Sequence, residues 1–352
     1  MALSLLLRAL DVYRRPLAYV GLTGWRRGVG ARLVVLSVIL AGVAWGQPQI
    51  SAAGPASSAL VRLGEHLFKS PLLSADGTVS CSTCHVSSLG FSGDRPVAVG
   101  VGGYSGGRRA PALIGLRDAK ALMWDGRAAN LPAQVVLPLE GKEMAVSWPT
   151  ALSRLDADSD VLNLVKDTDI IRLDRKIVID ALASYVASLD ARISRFDRFF
   201  YGGDRSALTP QEAWGLRLFV RKAGCSTCHL VNGEAAPFTD GSFHVTGFGR
   251  TSSPRDRGRA DITGDPVDVG AFKTPGLRAV ALRPYLMHDG SMTSLREVVE
   301  RYNRPDRIAF PNLDERIKPL LLGPDEVDAI VAFLGALTPE DNADTGLVAR
   351  SQ

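Results

Sequence analysis

The pentapeptide Cys-Ser-Thr-Cys-His occurs twice in this chain, as Cys81–His85 and as Cys225–His229, and the two copies account for all four cysteines among 352 residues. Cys-x-x-Cys-His is the attachment signature of a c-type haem. Its two thiols add to the two vinyl groups, and the histidine that follows bonds the iron from one face. The two-residue gap lets both sulfurs reach one porphyrin edge while the chain turns the imidazole beneath the metal. Two Cys-x-x-Cys pairs could also form a tetrahedral zinc site, and a single pair could be a redox dithiol. Both alternatives leave His85 and His229 without a reason. The expectation is therefore two covalently bound haem c groups, held by Cys81, Cys84 and His85 and by Cys225, Cys228 and His229, with each histidine an iron ligand.

The surroundings repeat as well. Gly64, Leu67 and Phe68 precede the first motif, and Gly215, Leu218 and Phe219 precede the second. Val178, Leu182, Val186 and Leu189 recur at helical spacing, as do Val327, Ile330, Leu334 and Leu337. Pro324, Asp325 and Glu326 open the last of these helices. Each half reads helix, haem motif, long loop, closing helix. The fold expected is mainly α, with two cytochrome c-like domains over 47–203 and 204–352. Tyr201-Gly-Gly-Asp204 is the expected seam, ahead of a fresh helix start at Thr209-Pro-Gln-Glu212. The tracts 86–113 and 230–275, rich in Gly, Pro, Ser and Asp, read as loops. Arg250, Arg255, Arg257 and Arg259 in the second tract read as a solvated loop.

Charge belongs to the first residues. Residues 1–46 hold six arginines against Asp11, a net of +5, whereas the whole chain is +4, which leaves about −1 for the rest. A nucleic-acid surface is not expected. A basic stretch followed by the apolar run Leu33–Ala44, with small Ala44 and Gly46 flanking Trp45, has the parts of a secretory signal. The apolar run is short of the roughly 20 residues that a spanning helix needs. Residues 1–46 are expected to direct export to the periplasm, with a membrane anchor as the outcome if they are not cleaved.

The ordered segments Leu63-Gly-Glu-His-Leu-Phe68, Trp124-Asp-Gly-Arg127, Phe196-Asp-Arg198, Phe272-Lys-Thr-Pro-Gly-Leu-Arg278 and Met287-His-Asp-Gly290 resemble the bacterial dihaem cytochrome c peroxidase and MauG superfamily. The likeness covers most of 60–340. It implies that the N-terminal haem meets hydrogen peroxide while the C-terminal haem handles electrons. In many members a histidine in the loop after the first motif blocks the resting iron. That position falls on Val101, so the N-terminal iron is expected open, with Tyr104 the nearby substitute. Gln134-Val-Val-Leu-Pro-Leu-Glu-Gly-Lys-Glu143 matches the stretch that supplies a distal glutamine and glutamate. Glu143 is the expected proton shuttle, with Glu140 as the alternative, and Gln134 the positioning group. Trp124 falls between the haems, where an indole can relay electrons or simply pack.

By the same likeness, the second ligand of the C-terminal iron falls on Tyr302, where classical peroxidases of the family have methionine and MauG-type members have tyrosine. A thioether raises the iron potential, whereas an anionic phenolate stabilises oxidised iron. His244 and His288 match family positions, with structural roles expected, and His66 is expected to face solvent. The family's inter-haem calcium is doubtful, because its asparagine position falls on the cation Arg109. The function expected is a periplasmic peroxidase-family enzyme, MauG-like in its ligands. It would act on hydrogen peroxide with either a small redox donor (cytochrome c or cupredoxin) or a protein substrate. The alternatives are a donor-dependent cytochrome c peroxidase and a non-enzymatic electron-transfer cytochrome with both irons saturated.

Overall fold

Each half is organised by two helices that cross where one of them carries a glycine. A computed structural model describes residues 55–340 except 167, 169, 190–192, 234–235, 249–255 and 306–311. The expected leader, Arg250 and Arg255 lie outside the described residues. The first half runs α1 (Pro55–Lys69), α2 over the first haem motif (Cys81–Cys84), α3 (Leu131–Glu140), α4 (Trp148–Asp156), α5 (Ser159–Lys166) and α6 (Arg175–Ser188). Then follow α7 (Arg195–Phe200), α8 (Pro210–Val220), α9 (Ala260–Thr263), α10 (Leu295–Asn303) and α11 (Pro324–Gly335). The only strands among the described residues, β1 (Phe243–Val245) and β2 (Ala271–Lys273), pair antiparallel with His244 opposite Phe272. The protein is thus mainly helical, with two cytochrome c-like halves. No helix among the described residues is long and apolar enough to cross a membrane.

Local chemistry sets the helix ends. The Asp174 carboxylate accepts from the Ile177 amide at the start of α6. Thr209 and Glu212 close a reciprocal capping box at the start of α8, with Pro210 in its first turn. The crossings explain the repeated glycine. A Cβ placed on Gly64 would stand 2.0 Å from the Ala181 carbonyl oxygen, and one on Gly215 would stand 1.8 Å from that of Ala329. The α1–α6 and α8–α11 pairs therefore touch backbone to backbone, and any side chain there would force them apart. Around the first crossing Leu63, Leu67, Phe68, Val178 and Leu182 form the core.

The second core takes in residues from before the expected seam. The Phe196 ring, on α7, lies 5.1 Å from Phe238 and 6.1 Å from Phe333. Fully burying such a ring contributes about 1.5–3 kcal/mol. Asp197 next to it holds Arg278 at 2.6 Å.

The halves are joined by charge. Asp125 is fully buried and takes both Arg108 and Arg127. Arg108 also grips both oxygens of Asp256, at 2.7 Å each, across the halves. The loop expected to be solvated is therefore corrected at one point. Arg259 donates to the Asp125 carbonyl at 2.9 Å and lies 4.5 Å from the Phe243 ring, while Arg257 stays exposed. His66 is likewise half-buried, 3.7 Å from Asp158.

Candidate functional site

The two haem motifs present their histidines in the same way. His85 Nδ1 lies 3.2 Å from the Phe91 carbonyl oxygen, and His229 Nδ1 lies 2.9 Å from that of Phe238. Both phenylalanines have left-handed backbone, with φ of 53° and 51°. That conformation is unfavourable for a bulky residue and is held only by surrounding structure. It turns each carbonyl back onto the ring. The Nδ1–H donates, which fixes the tautomer and leaves the Nε2 lone pair for a metal. Burial pushes His85 down to about 4 and also lowers His229, so both imidazoles stay neutral. Phe68 and Phe219 flank these rings at the same 6.4 Å.

Cys225, Cys228 and His229 line a cavity that Tyr302 also lines. Apolar groups such as Val280, Leu286, Val299 and Leu334 supply much of its wall. Two thiols, an imidazole and a phenol around a largely apolar slot suit a covalently attached haem. Burial pushes the Tyr302 hydroxyl well above its ordinary value, and its ring packs against Phe248 at 4.6 Å. Left alone, this phenol stays protonated; a metal ion would be needed to draw the proton off. His244 lines the cavity too, with Nε2 2.9 Å from Asp240 and Nδ1 2.8 Å from Asp314.

On the first side, Pro111 stands beside the His85 ring and lines a second cavity, whose wall does not include Cys81, Cys84 or His85. Gln134, Met123, Trp124 and Arg109 line it as well. Gln134 is buried, and its Oε1 has no partner among the described residues. An unpaired buried amide oxygen costs about 1–3 kcal/mol, so it is poised for a ligand. Trp124 lines both cavities and donates its Nε1–H to the Arg109 carbonyl at 2.8 Å. Its ring meets His288 edge-on at 6.3 Å, and His288 in turn stacks on Phe272 at 3.6 Å.

Glu143 is not among the residues lining the Gln134 cavity. Its carbonyl accepts from the Val101 amide at 3.0 Å, and its carboxylate is close enough to Cys84 to act on that thiol electrostatically. Glu140 instead faces outward, where Trp148 Nε1 donates to it at 2.9 Å and Arg175 Nε at 2.8 Å. Those donors hold its carboxyl below the ordinary range. Val101 is half-buried against the core, and Tyr104 lies at the surface with Lys142 over its ring.

Calcium does not fit at Arg109. Its guanidinium is buried and donates to the carbonyls of Met287 and Ala110, at 3.1 Å each, and to the Ser92 hydroxyl. The oxygens a hard cation would need are already taken by N–H donors. Sequence reasoning missed Phe91, Phe238, Arg283 and the His288–Phe272 stack. The only available signal was that Phe272 and His288 sit in conspicuous motifs.

A profile of the family described as di-haem cytochrome c peroxidase matches residues 58–206. The methylamine utilization protein MauG of Methylorubrum extorquens is 36% identical over 298 residues, 83% of this chain and 82% of that protein. The cytochrome c551 peroxidase of Nitrosomonas europaea is 32% identical over 296 residues, 82% of this chain and 83% of that protein. Among solved structures, a MauG-like protein associated with microbial copper homeostasis superposes with a TM-score of 0.74 at 28% identity, over 84% of this chain and 95% of that one. The diheme peroxidase BthA from Burkholderia thailandensis gives 0.69 at 26% identity, over 83% and 90%.

Proposed function

This chain belongs to the di-haem cytochrome c peroxidase family, and we propose that within it the protein is a MauG-like peroxidase with an open N-terminal haem and a tyrosine-ligated C-terminal haem. It is an oxidoreductase of the peroxidase class by that membership. The observation that carries the finer reading is that Tyr302 lines the same cavity as Cys225, Cys228 and His229. When bound, the haems supply iron that accepts and gives up electrons, with peroxide taken up at the N-terminal one.

The side chains supply the rest. His85 and His229 each offer Nε2 to iron. Val101 offers no donor, so nothing from its position covers the first site. Gln134, with its unpartnered Oε1, orients peroxide by accepting its O–H. Glu143 takes the proton from one peroxide oxygen and returns it to the leaving oxygen, work of about 10²–10⁴ in rate. The engagement of Glu140 by Trp148 and Arg175 favours Glu143 for that role. Trp124, lining both cavities, carries electrons between the halves. Tyr302 would hold the C-terminal iron through its phenol oxygen, a donor that as an anion favours the oxidised metal. The electron source is a small redox protein or a protein side chain, and residues 1–46 export the chain to the periplasm.

The test is EPR of the resting ferric protein followed by peroxide titration without prior reduction. One high-spin and one low-spin haem, with an immediate response to peroxide, is the expected result. A response only after one haem is reduced would favour a donor-dependent cytochrome c peroxidase. Two low-spin haems with no response would favour an electron-transfer cytochrome.

A further inference from the structure

We infer that Arg109, Lys273 and Arg283 form a carboxylate-binding site at the seam between the two cavities, built to hold haem propionates, so that the chain supplies there the positive charge that a calcium ion would otherwise bring. This rests on the proposal that two haems occupy the cavities. All three residues line both cavities. Arg109 is 3% exposed and Arg283 is 7% exposed.

What sets the two arginines apart is their missing counter-charge. Arg278 is buried to a similar degree and pairs with Asp197. Arg108 pairs with Asp125 and Asp256. Among the described residues, no carboxylate stands within ion-pair distance of Arg109, Lys273 or Arg283, and only Lys273 feels one from further away, Asp240. The two guanidiniums are instead dressed with neutral acceptors. Arg109 holds Met287, Ala110 and Ser92, and Arg283 donates to Gly276 at 3.1 Å and Arg278 at 2.5 Å, both carbonyls. The Nε of Arg283 has no partner among the described residues. Carbonyl dipoles align a guanidinium without cancelling its charge, and an unpaired buried ion costs several kcal/mol. Arg109 and Arg283 also repel each other, being close enough for the charge of one to act on the other.

A protein that concentrates positive charge in this way is prepared for an anion. The chemistry of a c-type haem supplies one. Cysteines take the vinyl side of the macrocycle, and the two propionates leave from the side away from it. With Cys225 and Cys228 fixing one edge, the propionate edge is free to reach the shared wall. Planar guanidinium forks suit carboxylates in particular. The same charge excludes a divalent cation.

The test uses holoprotein whose two haems have been verified by denaturing mass spectrometry, so that a failure of the two-haem proposal is seen separately. Arg283→Met and Lys273→Met remove charge while keeping an unbranched apolar stem. Potentiometric titration should show at least one haem potential lowered in each, because a nearby cation favours the reduced iron. Resonance Raman should show shifted propionate-bending bands. Arg109→Lys, which keeps the charge, should shift either readout less than Arg109→Gln. Wild type should hold well under one calcium per protein by elemental analysis, with EGTA leaving its spectra unchanged. If Arg283→Met fails to fold, Lys273→Met, on a half-buried side chain, carries the measurement. Unchanged potentials and propionate bands in a variant with both haems, or one chelator-sensitive calcium per wild-type protein, would overturn the inference.

Discussion

The imidazole of His288 meets the indole of Trp124 edge-on, 6.3 Å between ring centroids, and the two residues hold equivalent places in the two halves. Trp124 lies in Met123-Trp-Asp-Gly126 and His288 in Met287-His-Asp-Gly290. Both methionines have left-handed backbone, φ of 67° and 65°, as have both glycines, at 73° and 65°. Each turn reaches across: a Cβ on Gly126 would stand 2.3 Å from Phe243, and one on Gly290 would stand 2.3 Å from the Pro96 carbonyl oxygen. The duplicated turns therefore face each other, with one ring from each in contact.

Trp124→Phe tests the use of that contact. It keeps a ring in place but deletes the Nε1–H bond to the Arg109 carbonyl, which should cost about 1 kcal/mol of stability. Rapid-freeze EPR after peroxide addition should show oxidising equivalents retained in the N-terminal half for longer. An unchanged rate of sharing would reduce Trp124 to a packing residue.

Cys84→Ser and Cys228→Ser should each weaken one haem attachment while leaving the other haem intact. Denaturing mass spectrometry reads the result directly. Wild type that carries no haem, or two disulfides, would end the two-haem proposal.

Glu143→Gln should leave haem content and resting spectra nearly intact and slow peroxide activation by about 10²-fold or more, the scale of a lost proton shuttle. Glu140→Gln should react at the wild-type rate, since its carboxylate is committed to Trp148 and Arg175. The opposite ranking in stopped-flow traces would exchange the two roles.

Tyr302→Met should raise the C-terminal haem potential, because a thioether favours reduced iron. The variant should also depend more on an external electron donor. Potentiometric titration beside wild type is the check, and an unmoved potential would mean that Tyr302 does not bind the iron.

Acid stability should report the charge clamp between the halves. Burial raises Asp125 and Asp256, but the arginines outweigh it: Arg127 and Arg108 hold Asp125 below the ordinary carboxylate value, and Arg108 does the same for Asp256. A carboxyl depressed on folding contributes stability that is complete above its unfolded pKa of about 3.9 and is lost as pH falls through the folded value. The thermal midpoint of the holoprotein should therefore hold steady above about pH 5 and drop steeply below about pH 4. Asp125→Asn should lower the plateau and flatten that drop. An equally steep drop in the variant would assign acid sensitivity to other groups.

Whatever depends on near neighbours in the chain can be read from the residues in order. Cys-x-x-Cys-His is five consecutive residues, so its chemistry is legible without a fold, and the repeat of Gly64 and Gly215 marked the two halves as related. Helix ends followed for the same reason: Thr209 and Glu212 cap within one turn. The tertiary structure alone decided whatever rests on contacts between distant segments. It placed Phe196 in the second core, brought Arg259 onto Asp125, separated Glu143 from Glu140, and gathered Arg109, Lys273 and Arg283 without a carboxylate. An arginine's letter says nothing of its counter-charge, because pairing depends on which loops meet when the cores close. Long Gly- and Pro-rich tracts carry no periodicity to reveal that meeting. Desolvation, which makes an unpaired charge costly, exists only once the chain has buried it.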